Sequence, residues 1–172
     1  VIRCVVTTSI NPPIKIYENE IREKILLGLE PYRENLLNTG DFQYRIFMHI
    51  RRGDYLDNPT YHFLTDISYY KKAVNLLKPL KPIIITSNDI NWVKNNEYFN
   101  DSRYFEIFDG DTVETLAMMS LCKEGAICAN STFSWWGAFL GAYSERKPVI
   151  VPRKWVRDKI EELFPEEWVI LD

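Results

Sequence analysis

An open, doubly wound α/β sheet is the architecture this sequence predicts, on three observations. Short apolar runs alternate with amphipathic helical stretches along the chain. Several runs, such as Ile83–Thr86 (IIIT) and Ala126–Ala129 (AICA), are apolar at every position. Buried parallel strands have that pattern, because crossover helices cover both faces of the sheet. No internal repeat, low-complexity tract or flexible linker interrupts the alternation, which marks a β-α-β series.

The elements follow in order. Val1–Thr7 (VIRCVVT) has strand composition. Tyr17–Leu29 is an amphipathic helix with Ile21, Ile25 and Leu29 on one face, ended or restarted at Pro31. Tyr44–Ile50 (YRIFMHI) is a strand, followed by the polar segment Arg51–Thr65. Ser68–Leu77 is helical, Pro82–Thr86 a strand, and Asn91–Asn96 a helix. Tyr104–Phe108 is a strand and Thr112–Lys123 a helix stopped by Gly125. Ala126–Ala129 is a strand, Phe133–Tyr143 a helix, Val149–Val151 a strand, and Trp168–Leu171 a short last strand.

Composition narrows the class. A chain of 172 residues with 46% apolar and 14% aromatic residues can bury a core, so disorder is excluded as the main state. The formal net charge of −3 argues against a general nucleic-acid binder, which would be strongly basic. No apolar run reaches the roughly 18 residues of a membrane span. Cys4, Cys122 and Cys128, and His49 and His62, lie too far apart in sequence for a disulfide framework or a zinc cage. Val1 is not an initiator methionine and no signal-like segment stands ahead of it, so a cytoplasmic, reducing location is the expectation.

In such a sheet, ligands bind beyond the carboxyl ends of the strands. His49-Ile50-Arg51-Arg52-Gly53-Asp54 leaves one strand end. Paired guanidinium forks suit a phosphate, and Asp54 can orient one of them; a surface salt-bridge cluster is the alternative. Asn130-Ser131-Thr132-Phe133-Ser134-Trp135-Trp136-Gly137-Ala138 leaves another end. Ser131 or Thr132 can cap the helix that follows, and a helix N-terminus attracts anions. Gly137 and Gly141 give that helix a smooth face for close approach to the sheet. Trp135 and Trp136 fit the core, or a stacking platform. Asp109-Gly110-Asp111 has the form of a metal-holding DxD, but Asp-Gly is a turn and Asp111-x-x-Glu114 a capping box. Ser87 can reach a ligand from a third strand end, where Asn88 or Asp89 caps the next helix. His62 is read as a loop residue with no assigned role.

The string from His49 to Tyr55 resembles the HxRRxD motif of the α-1,2-, α-1,6- and protein-O-fucosyltransferase group. Met119-Ser120-Leu121-Cys122 followed by Ala129–Ala138 looks like the α-1,2-fucosyltransferases of glycosyltransferase family 11, in their bacterial and viral-type branch. Val151–Trp155 and Pro165–Trp168 resemble the closing segments of that family, and the resemblance runs from about Ile14 to Asp172.

The resemblance implies a GT-B-like enzyme of two Rossmann-like halves, with this chain (1–172) as the C-terminal, donor-binding half and the acceptor-binding half largely outside it. It implies inverting transfer of L-fucose from GDP-β-L-fucose to the 2-hydroxyl of a galactose-terminated glycan, with no metal and no further cofactor. Arg51 and Arg52 match the donor-phosphate arginines and His49 a residue near the nucleotide. Asn130, Ser131 and Thr132, with Phe133 and Ser134 beside them, match the loop lining the donor. Asp54 is the nearest carboxylate, a candidate base or an orienting partner for arginine. Thr115 stands where members of the family carry an acid, so Glu114 is the expected guanine-reading acid, from a shifted place. A non-catalytic, lectin-like GDP-sugar module with exposed tryptophans, and a metal enzyme using Asp109 and Asp111, are the competing readings.

Overall fold

The computed structural model describes residues 13–57, 62–155 and 164–172. Its elements are α1 (Pro13–Leu37), β1 (Ile46–Ile50), α2 (Gly53–Asp57), α3 (Ile67–Leu77), β2 (Ile83–Ser87), α4 (Ile90–Asn95) and β3 (Phe105–Ile107), then α5 (Thr112–Leu121), β4 (Gly125–Ile127), α6 (Thr132–Leu140), β5 (Val149–Pro152) and β6 (Val169–Leu171). The six strands form one sheet in the order β3-β2-β1-β4-β5-β6, and every neighbouring pair is parallel. This is the strand order of a Rossmann-like doubly wound sheet, in which chain direction across the sheet reverses between β1 and β4.

The alternation of side chains along each strand divides the interior into two cores. Phe47, Ile84, Ala126, Cys128, Val149 and Val151 face the layer that holds α1, α5 and α6. Ile46, Met48, Ile50, Ile83, Ile85, Ile127 and Ile150 face the α3 and α4 layer, with Tyr69, Tyr70 and Phe99. Both faces of the inner strands β1, β2, β4 and β5 are thus buried, which is why the runs IIIT and AICA carry no polar alternation, while the edge strands β3 and β6 are partly exposed.

Several boundaries differ from the sequence reading, for physical reasons. The expected strand at Val1–Thr7 lies outside the described residues. α1 continues through Pro31 to Leu37. Pro31 sits on the solvent face, where its missing N–H and ring are tolerated, while Ile25, Leu26, Leu29 and Leu36 pack inward. α6 ends at Leu140, and a 3-10 turn, Ala142–Glu145, follows Gly141. Gly125 does not stop α5, which ends earlier at the Cys122 cap; it opens β4 at φ 155°, pressed against the carbonyl of Pro148. The one-turn helix α2 inside the polar segment was not anticipated.

The smooth face of α6 packs on α5 rather than on the sheet. A Cβ at Gly137 would lie 2.8 Å from Met119 Cβ, and one at Gly141 would lie 2.5 Å from the Met119 carbonyl oxygen. No helix of the described residues is long and apolar enough to cross a membrane.

Candidate active site at the strand switch point

The chain leaves β1 as His49-Ile50-Arg51-Arg52, beside the end of β2 on one side and β4 on the other. A cleft of about 270 Å³ opens there, walled by the ends of β1, β2 and β3 and by the first turns of α5 and α6. His49 and Arg51 line it from β1, Ser87 and Asn88 from β2, Phe108 and Gly110 from β3, Thr112 and Thr115 from α5, and Phe133 from α6. A larger hollow, about 710 Å³, lies at the opposite end of the strands between Tyr44, Leu77 and Leu80. Lys78, Lys81 and Glu124 also line it, but it lies away from the carboxyl ends of the strands, where ligands bind in such a sheet, so the smaller cleft is the chemical candidate.

His49 is 3% exposed and its Nδ1 has no hydrogen-bond partner. Its ring meets Phe133 edge-on at 5.6 Å. Burial, reinforced by the charge of Arg51, pushes its pKa down to about 3, so the imidazole is neutral at physiological pH. Being neutral, it keeps one nitrogen as donor and one as acceptor.

The two arginines, alike in sequence, are placed differently. Arg51 donates from Nη2 to Asp54 Oδ2 at 2.8 Å and lies over the Tyr55 ring at 5.4 Å. Its Nε is buried without a partner. Arg52 instead stacks on Trp92 at 3.9 Å and pairs with Asp89 at 3.4 Å. It is held against α4 and does not line the cleft. Asp54 is engaged on both oxygens, by Arg51 and by the Asn88 amide at 3.1 Å, which makes it an orienting group. Ser87 accepts from the N–H of Asp89 at 2.9 Å and faces the cleft. Asp89 is the residue that caps α4.

The loop after β4 is built mainly by inward bonds. Asn130, 3% exposed, donates to the Phe63 carbonyl at 2.6 Å and accepts from Thr65 Oγ1 at 3.0 Å. Its own carbonyl accepts from the Tyr55 hydroxyl at 2.8 Å. Ser131 caps α6 through the N–H of Phe133. Ser134 is fully buried and donates to the carbonyls of Ala129 and Ser131, both at 3.0 Å. These three side chains shape the loop from inside, whereas Thr132 is exposed and Phe133 reaches the cleft.

Asp111 and Glu114 form the expected capping box: Asp111 accepts from the N–H groups of Val113 and Glu114, and Glu114 accepts from the N–H of Asp111 at 3.0 Å. Glu114 is thereby turned toward the helix start, and Thr112 and Thr115 are the α5 residues in the cleft wall, the Thr115 hydroxyl donating to the Gly110 carbonyl at 3.2 Å. Asp109 pairs with Lys94 at 3.5 Å. Trp135 is 8% exposed and stacks on Phe139; Trp136 is partly buried against the same aromatic cluster.

Sequence reasoning missed Asn88 as a site residue, Trp92 beneath Arg52, Tyr55, and the stacking of His62 on Tyr55 at 4.1 Å. Trp92 had one available signal, its position three residues after the cap Asp89; the others depend on contacts between distant segments.

Residues 16–172 match the family model described as "Glycosyl transferase family 11". An O-antigen biosynthesis glycosyltransferase, WbnK, of Escherichia coli is 35% identical over 72% of this chain and 43% of its own length. An alpha-1,2-colitosyltransferase of Escherichia coli is 33% identical over 74% of this chain and 47% of its own length. A galactoside alpha-(1,2)-fucosyltransferase 1 of Bos taurus is 32% identical over 54% of this chain and 28% of its own length. The chain therefore spans less than half the length of these relatives. No solved structure gives a significant match.

Proposed function

The chain belongs to glycosyl transferase family 11, and on that premise we propose that it is the donor-binding half of an inverting α-1,2-fucosyltransferase. The donor in this reading is GDP-β-L-fucose and the acceptor the 2-hydroxyl of a terminal galactoside. The relative that transfers colitose marks the nearest variant of the donor. The observation that carries the reading is the Arg51 guanidinium, fixed by Asp54 at the wall of the switch-point cleft with a buried, unpartnered Nε.

The difficult step is loss of GDP from the anomeric carbon, when negative charge grows on the β-phosphate. A fixed guanidinium aimed at that oxygen stabilises the charge as it develops and needs no reorganisation to do so. One hydrogen bond to a charged group contributes about 1.5–3 kcal/mol, or roughly one to two powers of ten in rate. With Arg51 supplying the charge, the reading requires no metal. Neutral His49 and the hydroxyls of Ser87, Thr112 and Thr115 are the polar groups available to the rest of the nucleotide. Both carboxylate oxygens of Asp54 are engaged, by Arg51 and Asn88, so we assign Asp54 to orientation and assign no base; the carboxylate in the cleft wall, Asp109, pairs with Lys94.

A lectin-like module would stack sugars on exposed tryptophans; Trp135 is buried and Trp136 partly buried in the aromatic cluster, which favours the transferase reading. The direct test is calorimetric titration of this chain with GDP-fucose, GDP and UDP, in EDTA and then with magnesium. Guanine-selective binding, unchanged by magnesium, is the expected result; binding of UDP that requires magnesium overturns the reading.

A further inference from the structure

The turn that carries the arginines places no side chain in either core. α2 buries none of its residues. Its far end is tied by the Tyr55 hydroxyl to the Asn130 carbonyl; at the arginine end Arg52 lies on Trp92 and pairs with Asp89, while the Arg51–Asp54 pair is tied to the sheet through Asn88. The Arg52 N–H donates to Asn88 Oδ1 at 2.9 Å, and Asn88 Nδ2 donates to Asp54 Oδ1 at 3.1 Å. The other oxygen of Asp54 receives Arg51 Nη2 at 2.8 Å. A side-chain amide can accept from a backbone N–H and donate to a carboxylate at once, which is what this place demands. Gly53 completes the fit, since a Cβ there would collide with the Asn88 amide.

We infer that Asn88 is a positioning residue of the donor site, acting through Asp54 to hold Arg51 toward the anionic, diphosphate part of a nucleotide-sugar. The inference rests on the donor-site reading above. Its physical basis is that the Asp54 that holds Arg51 sits on a turn with no buried residue, while Asn88 leaves the paired strand β2. The Asn88 bridge transfers the rigidity of the sheet to the guanidinium. Aim, more than charge, is what a bidentate phosphate contact needs.

The test separates the phosphate end of the ligand from the nucleoside end, using GDP by calorimetry and guanosine by ligand-observed NMR. Asn88→Ala is expected to weaken GDP about tenfold and to leave guanosine within about twofold of its wild-type affinity. Asp54→Ala is expected to match it, and the double variant to be no worse than either single one, because all three break the same chain. Gly53→Ala, which displaces the amide without removing it, is expected to reproduce the loss. A simple structural defect would instead weaken both ligands together, and that result overturns the inference. Full GDP affinity in Asn88→Ala alongside its loss in Arg51→Ala overturns the Asn88 role alone. No GDP binding by the wild-type chain overturns the donor-site reading and this inference with it.

Discussion

Arg51 and Arg52 differ in what surrounds them, and this predicts different consequences when each is removed. Arg51 faces the cleft, pairs with Asp54 and lies over the Tyr55 ring on a turn that buries no residue, so Arg51→Ala should weaken GDP by roughly ten- to a hundredfold with a smaller loss of stability than Arg52→Ala. Arg52 covers Trp92 and pairs with Asp89. Arg52→Ala should therefore cost about 1–2 kcal/mol of stability in urea denaturation, through lost stacking and pairing. Arg52→Lys is no substitute, because an ammonium cannot lie flat on the indole. His49 makes a prediction about pH. Its folded pKa is lowered from 6.5 to about 3 by burial. The unfolded chain takes up the proton first, so the stability tied to neutral His49 is complete above about pH 6.5 and is lost as pH falls toward 3. Denaturation midpoints at pH 7 and pH 5 should differ in the wild type, and His49→Gln should narrow the gap; an unchanged gap would refute this assignment.

At the scale of elements, the contact between α5 and α6 sets where Phe133 and the post-β4 loop sit. Gly141 lies against the Met119 backbone oxygen, which cannot move without disturbing α5, whereas Gly137 lies against the Met119 side chain. Gly141→Ala should cost about 2–3 kcal/mol and Gly137→Ala about 1 kcal/mol, compared by urea midpoints. The glycine spacing was visible in the sequence, and the element it faces was not: spacing shows that something approaches closely, but only packing shows what. The same division holds at the strand ends. The capping box at Asp111 and Glu114 was legible because both partners lie within one turn. The inward bonds of Asn130 were not, because Phe63 and Thr65 are more than sixty residues away.

Across the whole molecule, the sheet is held on one face by an aromatic cluster that joins chain segments far apart in sequence. Trp168 lies against Trp135 at 5.5 Å, Phe164 at 5.8 Å and Tyr143 at 6.1 Å. This cluster locks the segment leading into β6 onto α6, beneath the loop of the candidate site. Trp168→Ala should cost about 3–5 kcal/mol and flatten the near-UV circular dichroism. Retained near-UV intensity and an unchanged midpoint would show that β6 is held by its strand pairing alone. On the other face, the Tyr69 hydroxyl bonds the carbonyls of Cys128 at 2.7 Å and Ile150 at 3.1 Å. Helices on both faces thus fix β4 and β5, and with β4 the loop that leads to Phe133 in the cleft wall.

By itself the sequence determined the alternation of strands and helices, the cap at Asp111 and the strand ends where the cleft lies, and it narrowed the cap of α6 to Ser131 or Thr132. Each of those is settled by residues within about four positions, where hydrophobic period and cap geometry act. The tertiary structure alone decided that Arg51 rather than Arg52 faces the cleft, that Ser134 and Asn130 turn inward, and that Asn88 ties the arginine turn to the sheet. The Asn88 tie hangs on the register of β1 with β2, which sets Ile50 beside Ser87, and the inward turn of Asn130 on the approach of Phe63 and Thr65. A side chain leaving a strand end is aimed by whatever the neighbouring strand presents, and that neighbour is brought close by folding rather than by position along the chain.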